Sequence, residues 1–300
     1  MFVGVVLTVA GYLVVTNWSD LRAITVEIGV PAALASAALA LVGTVIIGQV
    51  WRVFLAGVGV RAPHSDVDEV FFVTQLGKYL PGSIWPVVAQ MEAGRRWGAG
   101  RSTTLVASGL MLAMLTATGL ALGVVLLPWS GGAGLRQYWW TSLFLLPLGA
   151  ALHPKVLPWL LDRALRLIGR EPAGVRLSGR ATWLGAAWSL AAWLTLGLHV
   201  YVLIASLGAT GWKALAAAVG GMALAWAVGL IIIPAPAGAG VRDTVLVLTL
   251  SPLVGQTAAL TVALASRLIL LCVDLLLAGL SLLIARRLGP GGRTPSSSTP

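Results

Sequence analysis

Five ionisable residues sit where an apolar chain should not carry them: Lys78, Arg242, Asp243, Arg267 and Asp274. An ionisable group at membrane depth costs about 2.5–3.5 kcal/mol on insertion scales, so each calls for a partner or a polar cavity. Their formal charges leave one positive unit, and Arg95 and Arg96 add two more at the mouth of the same segment. That sign suits an anionic headgroup. Lys78 is followed by Tyr79-Leu80-Pro81-Gly82-Ser83-Ile84-Trp85. Pro81 and Gly82 break a helix there, which frees backbone N–H groups at the next turn, a place that favours phosphate or carboxylate. Tyr79, Ser83 and Trp85 are read with Lys78 as substrate contacts, the serine supplying a hydroxyl and the tryptophan an aromatic wall. The plain alternatives are a lysine snorkelling beside an ordinary kink, and an Arg95-Arg96 pair that only anchors the chain on its positive side.

A second break, Pro234-Ala-Pro236-Ala237-Gly238-Ala-Gly240-Val-Arg242-Asp243, interrupts the later half. Paired Pro/Gly interruptions in two halves of a membrane protein point to a transport site. Pro81, Gly82, Pro236, Gly238 and Gly240 are then the hinges. Arg267 and Asp274 lie seven residues apart, hence on nearly one helical face and about 10 Å apart along the axis. Both are placed as ligand contacts, with an internal ion pair to Asp243 or Arg242 as the alternative.

The elements that must position these groups follow from the composition. Over 300 residues, 58% are apolar and 10% charged, with a mean hydropathy of +0.92. This is an all-α, polytopic membrane bundle. Long apolar runs cover Phe2 to Val15, Pro31 to Ala56, Ser102 to Leu127, Tyr138 to Leu152, Trp183 to Leu207, Trp212 to Ile233 and Gln256 to Ala285. The short run Thr244 to Val254 completes an eighth crossing, because seven alone would set Arg286-Arg287 outside. Trp51 and Arg52 are placed to snorkel at a span end, and Ser65 or Asp66 to cap the helix that enters the first broken segment. That segment, 71–101, reads as a broken or re-entrant helix. Between Lys155 and Arg170, Leu157, Leu160, Leu161, Ala164, Leu165 and Ile168 share a face opposite Asp162, Arg163, Arg166 and Arg170, an interfacial amphipathic pattern. Small-residue spacing at Gly119 and Gly123 permits close helix packing. One domain, 1–287, precedes a low-complexity tail, 288–300, expected to be disordered.

A net charge of +10 would suggest nucleic acid in a soluble chain. Here the positive residues sit in short loops with no basic aromatic stripe, so no nucleic-acid partner is expected and membrane phosphates are the counter-charge. Loops 58–101 and 153–180 hold five and six Lys or Arg, against one each in 17–30 and 128–137, which sets the N-terminus in the cytoplasm. The single cysteine, Cys272, excludes an internal disulfide. His64, His153 and His199 lack metal-ligand spacing, and His199 reads as a packing residue. No nucleophile elbow, P-loop or aspartate-rich motif is present, so neither catalytic residues, metal nor cofactor are expected. Trp188, Trp193 and Trp226 lie inside spans, where they pack in the bundle or line a lipid path.

GKYLPGSIW at 77–85 followed by Arg95-Arg96, and PAPAGAGVRD at 234–243 followed by Arg267, resemble the signatures of the lysylphosphatidylglycerol synthase transmembrane-region family, a group of flippase-like proteins. The resemblance covers nearly the whole chain. Lys78, Pro81, Gly82, Pro236, Gly238, Gly240 and Arg267 match its pattern. Asp243 stands where the family commonly has glutamate, Ala237 where a glycine is frequent, and Ser108-Gly109-Leu110 carry no counterpart of an acid usual in the helix after the first motif. The resemblance implies a multi-pass protein of the prokaryotic inner membrane, whose best-known relatives flip an aminoacylated phospholipid. Without a soluble aminoacyl-transferase domain, a complete lysyl-lipid synthetase is not expected. The expected function is a flippase for a phospholipid or lipid-linked phosphate headgroup. The second reading is a non-transporting subunit that holds a separate glycosyltransferase or lipid-modifying enzyme at the bilayer. An intramembrane transferase with Asp243 or Asp274 as base ranks third.

Overall fold

The computed structural model describes residues 28–80, 84–131, 177–231 and 240–288, together with isolated positions between 153 and 166. Eight α-helices and no strands occur among them: α1 (Val30–Gly57), α2 (His64–Gln75), α3 (Trp85–Gly94), α4 (Arg101–Leu126), α5 (Gly179–Ser206), α6 (Trp212–Ile231), α7 (Val241–Val254) and α8 (Gln256–Leu288). Five of these, α1, α4, α5, α6 and α8, are long and apolar enough to cross a membrane. They match five of the seven long runs read from hydropathy. The first and fourth runs, the interfacial helix except for isolated positions, and the tail from 289 onward lie outside the described residues. With 14 residues, α7 is about 21 Å long and falls short of a hydrocarbon core on its own.

The bundle buries its largest side chains between α1, α4, α5 and α6. Trp193 is fully buried. Its indole donates to the Leu115 carbonyl at 3.2 Å and the Thr118 hydroxyl at 3.0 Å, and its ring meets Trp226 edge-on at 5.2 Å. Helices approach closely through glycine: an added Cβ at Gly119 would stand 3.0 Å from the Ala223 carbonyl, and one at Gly123 the same distance from the Leu224 Cβ. The small-residue spacing on α4 is thus a contact face for α6. Side-chain hydroxyls within the helices return to their own backbone, as Thr44 does to Ala40, Thr116 to Leu112 and Thr195 to Ala191. These three hydroxyls are thereby satisfied within an apolar helix. That exterior carries large side chains such as Trp183, Leu194 and Leu283, each at least half exposed.

Two local expectations are corrected. Trp51 does not snorkel: it is fully buried, packed against Phe71 and Trp97, and its indole donates to the Ser108 hydroxyl at 3.1 Å. Arg52 instead pairs with Asp68 and donates to Gln49 at 3.0 Å. Nor does Ser65 or Asp66 cap α2. The extended residue Pro63 precedes the helix, which begins at His64 and so places both candidates inside the first turn. There Asp66 complements the positive helix end.

Candidate functional site

The first broken segment begins as α2 and tightens into a 3-10 turn over Leu76–Tyr79. The chain then becomes extended at Leu80, with φ −84° and ψ 149°, and resumes as α3 at Trp85. Pro81, Gly82 and Ser83 fall outside the described residues. The tight turn carries Lys78 and Tyr79 side by side toward α8. Asp274 of α8, whose side chain is only 2% exposed, takes both: the Lys78 ammonium lies 2.7 Å from its Oδ2, and the Tyr79 hydroxyl donates to the same oxygen at 2.5 Å.

The second break ends at Gly240, whose φ of 81° is a left-handed value that glycine adopts at low cost. Pro234, Pro236, Ala237 and Gly238 lie outside the described residues. Asp243, in the first turn of α7, accepts from the Gly240 N–H at 3.1 Å and so satisfies a donor at the helix start. The same Oδ2 accepts from Arg267 Nη1 of α8 at 2.8 Å. Arg242, one residue earlier, has no carboxylate within ion-pair distance among the described residues. Its Nη2 lies 3.8 Å from the Met222 sulfur.

One cavity of about 140 Å³ gathers these groups. Lys78, Tyr79, Arg242, Asp243, Arg267 and Asp274 all line it. The five charges singled out in the sequence therefore converge, with α8 supplying one partner to each break. Of the internal ion pairs read as the alternative, Arg267 makes the one to Asp243, whereas Asp274 pairs with Lys78 and not with Arg242. Trp85 is not part of the lining. It opens α3, where it is 44% exposed, and the aromatic wall comes from Trp226 and Phe71. Arg95 and Arg96 also do not line the cavity. They occupy the exposed turn Arg95–Trp97, where Arg95 pairs with Glu92 at 2.8 Å and Arg101 approaches the other Glu92 oxygen at 2.7 Å. Hydrogen bonds from Arg101, then from Arg95, hold the Glu92 carboxyl below its usual range.

A chain of neutral polar residues that sequence reasoning missed also reaches the cavity. Trp51 donates to Ser108, Ser108 to the Gln90 carbonyl at 2.6 Å, and the Gln90 amide to Thr74 at 3.3 Å. These four residues come from α1, α4, α3 and α2, so the chain fixes α3 to the rest of the bundle. Gln90 also faces the cavity. Ser108 serves here as a neutral bridge. His199 is a satisfied packing residue: its Nδ1 meets Ser36 Oγ at 2.5 Å and its Nε2 meets Ser266 Oγ at 2.9 Å. Among the described residues no group of three or more His, Cys, Asp or Glu could hold a metal ion.

Apolar helices that enclose a paired-charge cavity between two interrupted segments define a multi-pass helical membrane protein with a polar site inside its bundle. The sequence profile of the lysylphosphatidylglycerol synthase TM region matches residues 1–278, and the chain belongs to that family. It is thereby a membrane protein linked to lipid metabolism. No curated protein matches the sequence.

Proposed function

We propose that the chain is a flippase of the prokaryotic inner membrane, which moves the headgroup of a phospholipid or lipid-linked phosphate across the bilayer. The observation that supports this reading is the cavity itself: both Pro/Gly breaks present charge to it, and α8 bridges to each. In this reading the broken segments are re-entrant, the headgroup enters between them, and the tails remain in the bilayer. An anionic group competes with Asp274 for Lys78, or with Asp243 for Arg267, so its arrival loosens the contacts that tie α8 to the breaks. Hinging at Pro81-Gly82 and at Pro236, Gly238 and Gly240 then exposes the cavity to the other face. Such a cycle needs no catalytic residue and no cofactor.

Native mass spectrometry of the protein extracted with its membrane lipids tests the site. Wild type is expected to retain a particular lipid that Lys78→Ala and Arg267→Ala lose while remaining folded. Equal retention of all lipids by the three proteins would instead favour a non-transporting subunit that supports a separate lipid-modifying enzyme.

A further inference from the structure

We infer that Asp274 is a proton-binding site, and that anion and proton cross together because the first break opens only when this carboxyl is protonated. This rests on the transport reading and adds to it the ion that moves with the lipid. The Asp274 side chain is 2% exposed, against 33% for its partner Lys78. Hinging at the first break draws Lys78 from α8 and leaves the carboxylate buried without its cation. A buried carboxyl so placed neutralises by taking a proton. Tyr79 holds it in either state, since a hydroxyl that donates to the carboxylate at 2.5 Å also accepts from the acid.

The surroundings single out Asp274 over Asp243. When Arg267 leaves, Asp243 still accepts from the Gly240 N–H at 3.1 Å, a bond that favours its charged form. Arg242 of α7 lies within electrostatic reach of Asp274, yet its Nη2 meets the Met222 sulfur instead. On α8 itself, Arg267 is held by Asp243, and Cys272 lines a separate apolar groove with Ala37 and Leu203. Arg52 of α1 and Asp68 of α2 are paired with each other, and His64, Asp66 and Glu69 lie in the first two turns of α2. From α5, Arg180 stands at the helix start, Tyr201 accepts from the Gly211 N–H, and His199 meets Ser266, about 12 Å along α8 from Asp274.

Charge balance couples the proton to the anion. Lys78, Arg242 and Arg267 face Asp243 and Asp274 across the cavity, a surplus of one positive charge, and residues 81–83 and 232–239 add no ionisable side chain. A proton alone raises that surplus in a poorly solvated site, which is costly. A singly charged anion alone settles on Arg242 and leaves Lys78 tied to Asp274, so the break stays closed. Arriving together, they restore the starting balance and free Lys78 to share the anion with Arg242. The proton comes from water at the open face and binds a carboxylate oxygen of Asp274. It returns to water at the other face when Lys78 re-forms its pair. No net charge crosses.

The test uses phosphatidylcholine vesicles that carry the purified protein and a trace of tail-labelled phosphatidylglycerol as the probe anion, the interior held about one pH unit above the exterior. One proton per lipid sets a roughly tenfold enrichment of label in the inner leaflet at steady state, relative to protein-free vesicles. A membrane potential should leave that ratio unmoved. Asp274→Asn, whose side chain stays neutral, should lose the pH response, and the label it moves should follow the potential instead. Asp274→Glu should keep part of the pH response. Because the readout is a ratio of leaflets, a partly unfolded variant slows the approach without changing the end point. Equal label in both leaflets of wild-type vesicles that still exchange it would overturn the coupling and leave transport standing. Enrichment that persists in Asp274→Asn would overturn the assignment to this residue. No exchange at all by folded wild type would remove the transport reading, and this inference with it.

Discussion

Arg267 and Asp274 stand on one face of α8 and reach opposite breaks in the chain, Arg267 to Asp243 at 2.8 Å and Asp274 to Lys78 at 2.7 Å. Neither pair lies within one helix. The last long helix thus ties together two segments that are more than 150 residues apart in sequence, and it does so inside the cavity that a headgroup would enter.

The Lys78–Asp274 contact should behave as a coupled pair. Breaking a buried pair costs roughly 3–5 kcal/mol, and the one-third exposure of Lys78 lowers that expectation to about 1–3 kcal/mol. Lys78→Met and Asp274→Leu alone should each destabilise the protein, and the double variant should recover part of the loss. Chemical unfolding in detergent measures the cycle. Strict additivity would show that the two side chains are not in contact.

Asp243 has two tasks, so its variants should separate. Asp243→Ala removes the acceptor for the Gly240 N–H and the partner of Arg267, and loss of such a cap costs about 1–2 kcal/mol. Asp243→Asn keeps an acceptor near Gly240 and loses only the charge. Amide hydrogen exchange in the first turn of α7 should quicken strongly in the alanine variant and weakly in the asparagine one.

The close approach of α5 and α6 predicts a contrast between two glycines. A Cβ at Gly197 would stand 2.5 Å from the Val219 Cα, whereas one at Gly279 would meet nothing within 4 Å. Gly197→Ala should destabilise by about 1–3 kcal/mol through overpacking. Gly279→Ala should be neutral or stabilising by up to about 1 kcal/mol through helix propensity. Melting temperatures of the two variants test this directly.

Glu92 supplies a pH signature outside the spans. Its folded carboxyl titrates below the ordinary range because Arg101 and Arg95 donate to it. A lowered folded value means that its contribution is complete above the ordinary carboxylate value of about 4 and is lost as pH falls through the lowered one. Wild type and Glu92→Gln should therefore differ by a constant small margin from pH 6 to 8, and the margin should shrink only under acid. A margin that changes near neutral pH would assign the titration to another group.

Much of this architecture was legible because hydropathy reports burial in lipid directly. The run from Pro31 to Ala56 became α1, Val30–Gly57, and that from Gln256 to Ala285 became α8, Gln256–Leu288. The charged site was also legible, since Lys78, Arg242, Asp243, Arg267 and Asp274 are conspicuous in apolar surroundings. Of their pairings only Arg267 with Asp243 was among those read; Asp274 with Lys78 was not, because spacing places Arg267 and Asp274 on one face but says nothing of which break each one meets. Gln90, Ser108, Thr74 and Trp51 left no trace, as neutral polar residues are tolerated in apolar helices whenever a neighbour satisfies them. Trp51 misled because a tryptophan beside an arginine at a span end resembles an interface anchor. Here Phe71, Trp97 and Ser108 enclose it.

The most direct test of transport is a leaflet assay in vesicles that carry a tail-labelled phosphatidylglycerol and the purified protein. Dithionite added outside bleaches only label that reaches the outer leaflet. The account predicts that wild type exposes the inner-leaflet label, and that folded Lys78→Ala and Arg267→Ala leave it protected as in protein-free vesicles. Protection in the wild-type vesicles, with a retained headgroup and an intact fold, would contradict it and make the chain a lipid-binding subunit.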